Sequence, residues 1–169
     1  MTLDRLWADW RSTYVSEARD DVADHDVEHC LFCRLSACEV SAESGVVFRD
    51  AVSFCVLNAY PYGSGHLLVL PRRHEPSLLG LDAGESEAIW STLRQGVAAI
   101  ERAYGPDGVN IGANLGKSAG AGIPAHLHLH ILPRWAGDTN FMTSIGETRV
   151  LPESLTRTWE RVSAAWVSS

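Results

Sequence analysis

The sequence predicts an α+β domain, with an antiparallel five-stranded sheet, one long helix and further helices towards the two termini. Several short stretches between residues 46 and 132 alternate hydrophobic and polar residues with the period of β-strands, and one segment ending at Tyr104 has the period of a helix. The last two strands are separated only by residues 116–125, a connection too short for the crossover of parallel strands. We therefore expect an antiparallel sheet covered by helices on one face.

The predicted elements run in the order hairpin, third strand, long helix and two further strands. A cap-like segment, Asp82-Ala83-Gly84-Glu85, precedes the long helix, and Gly105-Pro106 ends it. The predicted strands are 46–49, 52–57, 66–70, 109–115 and 126–132, and the shorter predicted helices are about 4–17, 30–38 and 152–166.

The whole chain, residues 1–169, is expected to form a single domain. It has 169 residues, of which 46% are hydrophobic, and is therefore long enough to bury one core without disulfides. No repeat or linker interrupts it. We divide it into an N-terminal helical extension at about 1–38, a core at about 45–135, and a C-terminal tail and helix at 136–169.

Charge and hydropathy exclude two classes of partner. The net charge is −7 and Arg72-Arg73 is the only adjacent basic pair, whereas a protein that binds nucleic acid needs clustered cations. No apolar run is long enough to cross a membrane, and the N-terminus lacks the layout of a secretory signal. We expect a cytoplasmic protein whose partner is a small molecule.

Three histidines alternate with aliphatic residues in the segment His126-Leu127-His128-Leu129-His130-Ile131-Leu132. On a strand, the three imidazoles share one face, which we expect to be open, while the aliphatic side chains lie under the long helix. His126 and His130 would be about 13 Å apart, too far to share one metal ion, so the histidines are expected to have different roles. An imidazole on a rigid strand can act as a nucleophile towards phosphorus. This role is favoured, with metal binding alone as the alternative.

A loop of small residues, 116–122, leads into the histidine segment. Its backbone N–H groups, with Lys117 and Ser118, suit a phosphate, although the glycine spacing is not that of a Walker motif. From spacing alone, His66 is explained equally well as a structural residue, and Asn58 and Asn114 are better explained by turns.

The pair Cys30-Leu31-Phe32-Cys33 is typical of one half of a tetrahedral zinc site. The other two ligands must come from elsewhere, and the candidates are His29, His74 and His126. A redox role is the alternative, but redox pairs usually follow a strand, and no strand is predicted before Cys30.

Together these segments resemble the histidine-triad family, whose signature is three histidines alternating with apolar residues. The resemblance extends to Asn58, to Gly65-His66, to the segment from Pro71 to His74, and to Asn114 with its glycine-rich loop. It therefore spans most of the chain. It is strongest with the bacterial branch that includes diadenosine tetraphosphate phosphorylases and related dinucleoside polyphosphate hydrolases.

The resemblance implies the histidine-triad fold and cleavage of a dinucleoside polyphosphate. His128 would attack the α-phosphorus, and water or inorganic phosphate would resolve the nucleotidyl-histidine. The implied catalytic residues are His128, His130, His66 and His126, and the implied nucleotide- and phosphate-binding residues are Asn58 (at the ribose), Asn114, Gly120 and Gly122.

The resemblance also implies a structural Zn²⁺ that ties the N-terminal segment to the histidine segment, and a homodimer formed through the long helix and a sheet edge. Gly122 and Ile123 depart from the family, because many relatives carry Ser or Thr there. The implied zinc ligands are Cys30, Cys33, His74 and His126.

Two other functions stay open. A nucleoside phosphoramidate or adenylate hydrolase would use the same residues on a different leaving group. A regulatory module that binds nucleotide without turnover is the other alternative, but such a module would not need His128.

Overall fold

The computed structural model describes residues 27, 30–138 and 153–167, and the predicted helix at 4–17 lies outside these ranges. The three helices of these ranges lie close to their predicted positions. They are α1 (Leu31–Ala37), α2 (Ala83–Tyr104) and α3 (Leu155–Ala165); the strands are β1 (Val46–Arg49), β2 (Ser53–Leu57), β3 (Leu67–Pro71), β4 (Gly108–Ala113) and β5 (Leu129–Arg134).

The five strands form one sheet in the order β1-β2-β3-β5-β4. Every neighbouring pair is antiparallel, including β4 and β5, which confirms the prediction made from their short connection. Strand β3 lies at the centre and is buried along its whole length. The histidine strand β5 pairs with it, so the segment before β5 is anchored at the middle of the domain.

The two faces of the sheet are covered differently. Helix α2 packs on one face over a core that includes Leu67, Val69 and Ile131, and α3 adds Val162 to the same core. On the other face, Phe32 of α1 packs into a second cluster, which also contains Leu68 and Leu70. The expectation of one covered face was therefore wrong, because the apolar side of α1 buries itself on the face that carries the imidazoles.

The predicted cap of α2 is confirmed in detail. The Asp82 carboxylate accepts a hydrogen bond from the Glu85 N–H (2.8 Å), and the Glu85 carboxylate accepts one from the Asp82 N–H (3.0 Å). This reciprocal pair is a capping box. Hydrogen bonds from Arg73 lower the pKa of Glu85 to about 2. At its other end α2 stops at Gly105, whose positive φ of 53° favours glycine.

The histidine strand starts later than predicted. Strand β5 begins at Leu129, so His126 and His128 lie in an extended segment just before it. Instead of a ladder partner, the Leu127 N–H donates a hydrogen bond of 2.7 Å to the Glu75 carbonyl in the loop after β3. Period-two alternation predicts side-chain direction and says nothing of which backbone groups pair. Within the described ranges, no helix combines the length and the apolar character needed to cross a bilayer.

Candidate active site and metal centre

His66 and His130 form a hydrogen-bonded pair at the junction of β3 and β5. The two imidazoles meet through His66 Nε2 and His130 Nδ1 at 2.9 Å. The Tyr62 N–H donates to His66 Nδ1 (3.0 Å), and the Asn58 amide also lies 3.3 Å from that nitrogen. Because His66 Nδ1 accepts, the proton of the neutral ring is on Nε2 and is donated to His130.

The same reasoning assigns the proton of His130. Its Nδ1 accepts from His66, so the neutral His130 ring carries its proton on Nε2. That Nε2 is buried and has no hydrogen-bond partner among residues 30–138 and 153–167. Burial, together with the charge of His128, lowers the pKa of His130 to about 4. His130 therefore presents a neutral ring with an N–H ready for an acceptor oxygen.

His128 is held in the opposite tautomer to His130. Its Nδ1 lies 2.9 Å from the backbone carbonyl of His126, which can only accept, so Nδ1 carries the proton. Nε2 then carries the lone pair. Burial lowers the pKa of His128, although the hydrogen bond to His126 opposes this. The centres of the His128 and His130 rings are 5.2 Å apart, so a lone pair and an N–H donor lie side by side.

Two aromatic residues that sequence reasoning did not select form walls of this site. Phe32 is buried, and its ring centre lies 5.6 Å from that of His126 and 5.3 Å from that of His128. Tyr62 stacks nearly parallel to His130, with ring centres 5.8 Å apart. Phe32 lies between the two cysteines, and Tyr62 lies in the turn-rich loop before His66, so their positions next to predicted residues were the only signal available.

The four predicted metal ligands converge. The ligand atoms of Cys30, Cys33, His74 and His126 all lie within 4.8 Å of one another. His126 Nδ1 is 3.4 Å from Cys30 Sγ and 3.6 Å from Cys33 Sγ, and His74 Nδ1 is 3.3 Å from Cys33 Sγ. A tetrahedral zinc ion with ordinary bond lengths would separate sulfur and nitrogen ligands by roughly 3.6 Å. The donor set and its spacing therefore fit Zn²⁺.

His126 is already oriented for such a site. Its Nε2 lies 2.9 Å from the Pro71 carbonyl, so the proton is on Nε2 and the Nδ1 lone pair points to the cysteines. A carbonyl that holds the far nitrogen of a ligating histidine is the usual second partner in zinc sites. Of the three histidine candidates, His74 and His126 are in the cluster, and His29 lies outside the described ranges.

The predicted nucleotide-binding residues lie in loops, and their contacts within the described ranges are mainly with those loops. The Asn58 side chain accepts from the Tyr60 N–H (2.9 Å) and faces His66, so it shapes the loop. The Asn114 amide donates a long hydrogen bond of 3.4 Å to the Gly120 carbonyl. Gly120 has a φ of 92°, which ends the short 3₁₀ turn Lys117–Ala119, and Gly122 is exposed. The loop thus leaves its backbone near the surface.

The other two cysteines lie outside the metal cluster. Cys55 is fully buried in the core under α2, and burial raises the pKa of its thiol. The thiol of Cys38 donates to the Arg34 carbonyl within α1. Both are free thiols.

Comparisons with known proteins identify the family. The family model of the HIT domain matches residues 39–137. The chain belongs to the histidine-triad (HIT) family. It is 37% identical over 167 residues to the AP-4-A phosphorylase of Mycobacterium tuberculosis, an alignment covering 97% of this HIT chain and 85% of that protein.

Two further relatives extend the comparison. Over 95 residues the chain is 35% identical to the asymmetrical bis(5′-nucleosyl)-tetraphosphatase of Schizosaccharomyces pombe, covering 56% of this chain and 52% of that protein. The crystal structure of a zinc-bound histidine-triad family protein from Mycobacterium smegmatis superposes with a TM-score of 0.66 at 25% identity, covering 83% of this chain and 94% of that one. The HIT fold predicted from the sequence is thereby confirmed.

Proposed function

We propose that this HIT protein cleaves dinucleoside polyphosphates by transferring a nucleotidyl group to His128. The observation that carries the proposal is that the buried His128 keeps a lone pair on Nε2, next to His130, whose N–H has no partner within the described ranges. Two of the relatives described above are named for diadenosine or dinucleoside tetraphosphate substrates, which supports the same substrate class.

The proposed chemistry follows from the tautomers of His128 and His130. His128 Nε2 attacks the α-phosphorus, an N–P bond forms, and the P–O bond to the departing nucleoside polyphosphate breaks. The His130 N–H donates to an oxygen of the reacting phosphate, and His66 holds His130 in the tautomer that makes this possible. Water or inorganic phosphate then attacks the phosphorus, which breaks the N–P bond and restores the lone pair of His128.

The remaining predicted residues bind the substrate in this proposal. The exposed loop of residues 116–122 offers backbone N–H groups to the phosphates, with Asn114 and the glycines Gly120 and Gly122 keeping it open. Asn58 lies on the loop that supports His66 and would contact the ribose. We propose that this reaction takes place in the cytoplasm. A single domain that spans residues 1–169 would bind and cleave the nucleotide.

The test is chromatography of the products from diadenosine tetraphosphate, once in phosphate buffer and once without phosphate. ADP with ATP only in phosphate identifies a phosphorylase, and AMP with ATP in both buffers identifies a hydrolase.

His128→Ala should lower kcat by at least about a thousandfold, because the nucleophile is lost. Wild-type turnover by His128→Ala would refute the mechanism, and turnover of phosphoramidates or adenylates in place of the dinucleotide would move the substrate to that class.

We propose further that Cys30, Cys33, His74 and His126 bind a structural Zn²⁺. The fit of their spacing to a tetrahedral site supports this, as does the zinc-bound HIT relative. A site with two thiolates and two imidazoles is closed, so the ion would act as a brace between α1, the loop after β3 and the histidine segment. When bound, it would supply folding free energy.

Zinc analysis of the purified protein tests this brace. We expect about one zinc per chain, lost in the double variant Cys30→Ser/Cys33→Ser, with a Tm lower by at least about 5 °C. Cys38→Ser is the matched control and should keep both the zinc and the Tm, since Cys38 is not in the cluster. A double variant that retains zinc, or loses it at unchanged Tm, would contradict the assignment.

We also propose that two copies of the chain form a homodimer through α2 and β4. Strand β4 is an edge strand, exposed over most of its length, and within the described ranges only β5 pairs with it. Ile111 on β4 and Trp90 on α2 are both large, hydrophobic and exposed. An uncovered strand edge and exposed apolar side chains both favour pairing with a second copy.

Sedimentation velocity distinguishes a dimer from a monomer directly. The wild-type protein should sediment as a dimer at micromolar concentration, and the variant Trp90→Glu/Ile111→Lys as a monomer, because it places charges in the apolar contact. Leu79→Glu alters another highly exposed apolar residue, which belongs to neither α2 nor β4, and should remain dimeric. A monomeric wild-type protein would refute this interface.

A further inference from the structure

The loop between β3 and α2 is organised around one side chain, that of Arg73. Its Nε and Nη2 donate to the two oxygens of Glu85 at 2.7 and 2.8 Å, which is a bidentate contact. Its Nη1 donates to Glu75 (2.9 Å), and Nη2 also reaches the Gly80 carbonyl (2.8 Å). The guanidinium thus ties the start of α2 to both ends of the loop.

Glu75 is the member of this network that leads to the active site. One of its carboxylate oxygens accepts from Arg73 and the other from the Ser77 N–H (2.8 Å), so its side chain is fixed at both oxygens. Its backbone carbonyl accepts the hydrogen bond from the Leu127 N–H. Leu127 lies between His126 and His128, in the segment that precedes the β5 ladder.

The network is also packed tightly. A Cβ atom on Gly80 would overlap the carboxylate of Glu75, so any larger residue at this position has to displace that carboxylate from its hydrogen bonds. Arg73 is half exposed, whereas the Glu75 and Glu85 side chains are 13% exposed. Half-exposed ion pairs add little to global stability, so the precise geometry of this one calls for another explanation.

We propose that Arg73 is a positioning residue for the active site. By holding the Glu75 and Glu85 carboxylates together, its guanidinium fixes the Glu75 carbonyl against the Leu127 amide and so sets the position of His128. The catalytic part of this inference rests on the proposed function, and the structural part does not. Arg73, Glu75 and Glu85 together form a clamp. Because His74 lies between Arg73 and Glu75, this clamp also orients one member of the cysteine–histidine cluster.

Amide hydrogen exchange of the purified protein, followed by NMR, reads the clamp directly. In Arg73→Lys, which keeps the charge but loses the fork, the Leu127 amide should exchange at least about tenfold faster. The Val69 amide, in the central strand, should stay within about twofold of wild type. Gly80→Ala should give the same selective acceleration of exchange at Leu127 without replacing any charged residue, because its Cβ displaces the Glu75 carboxylate.

Matched controls separate this effect from the loss of any arginine or glycine. Arg157→Lys makes the same replacement in an exposed ion pair with Glu160 on α3, and Gly108→Ala places its Cβ in open space. Both should leave Leu127 exchange unchanged.

For turnover of diadenosine tetraphosphate, Arg73→Lys should lower kcat about tenfold, with KM within about twofold, because the nucleophile is misplaced while substrate contacts remain.

The outcomes decide between positioning and general stability. Unchanged Leu127 exchange in both Arg73→Lys and Gly80→Ala overturns the proposal, as does equal acceleration at Leu127 and Val69. Selective acceleration at Leu127 supports it even if the wild-type protein fails to cleave the dinucleotide, in which case only the proposed substrate is refuted. Selective acceleration with unchanged kcat overturns the catalytic part.

Discussion

His126 joins three parts of the molecule through three different polar groups. Its Nε2–H donates to the carbonyl at the end of β3, its Nδ1 faces the two cysteines, and its backbone carbonyl accepts a hydrogen bond from the Nδ1–H of His128. The first contact selects the tautomer that the second requires, and the third selects the tautomer that leaves a lone pair on His128 Nε2. The candidate metal centre and the proposed active site therefore share one residue and cannot be positioned independently.

Burial makes this arrangement chemically useful. Phe32 and Tyr62 cover the imidazoles from two sides, and desolvation lowers the pKa of both His128 and His130. Neutral rings are needed, since a protonated His128 has no lone pair and a protonated His66 cannot accept from the Tyr62 N–H. Cys30 lies at the N-cap of α1, and both Cys33 and Phe32 lie within it, so this helix both contributes to the candidate metal cluster and helps to bury His128.

Many features of the fold could be predicted from the sequence, because they depend on residues close together in the chain. The cap at Asp82 and Glu85, the antiparallel order of β4 and β5, and the period of α2 are set by neighbouring residues. The metal cluster followed from the cysteine spacing only when the family resemblance was added. The late start of β5 and the contact from Glu75 to Leu127 were not predictable, since they join backbone atoms far apart in the chain. The same holds for α1 covering the imidazole face.

The central claim is that His128 becomes covalently bonded to phosphorus during turnover. The stereochemical course at the α-phosphorus tests this most directly, using a dinucleoside polyphosphate made chiral there with sulfur and isotopic oxygen. Two successive displacements, first by His128 and then by the acceptor, predict overall retention of configuration. Inversion would mean a single displacement by water or phosphate and would contradict the account.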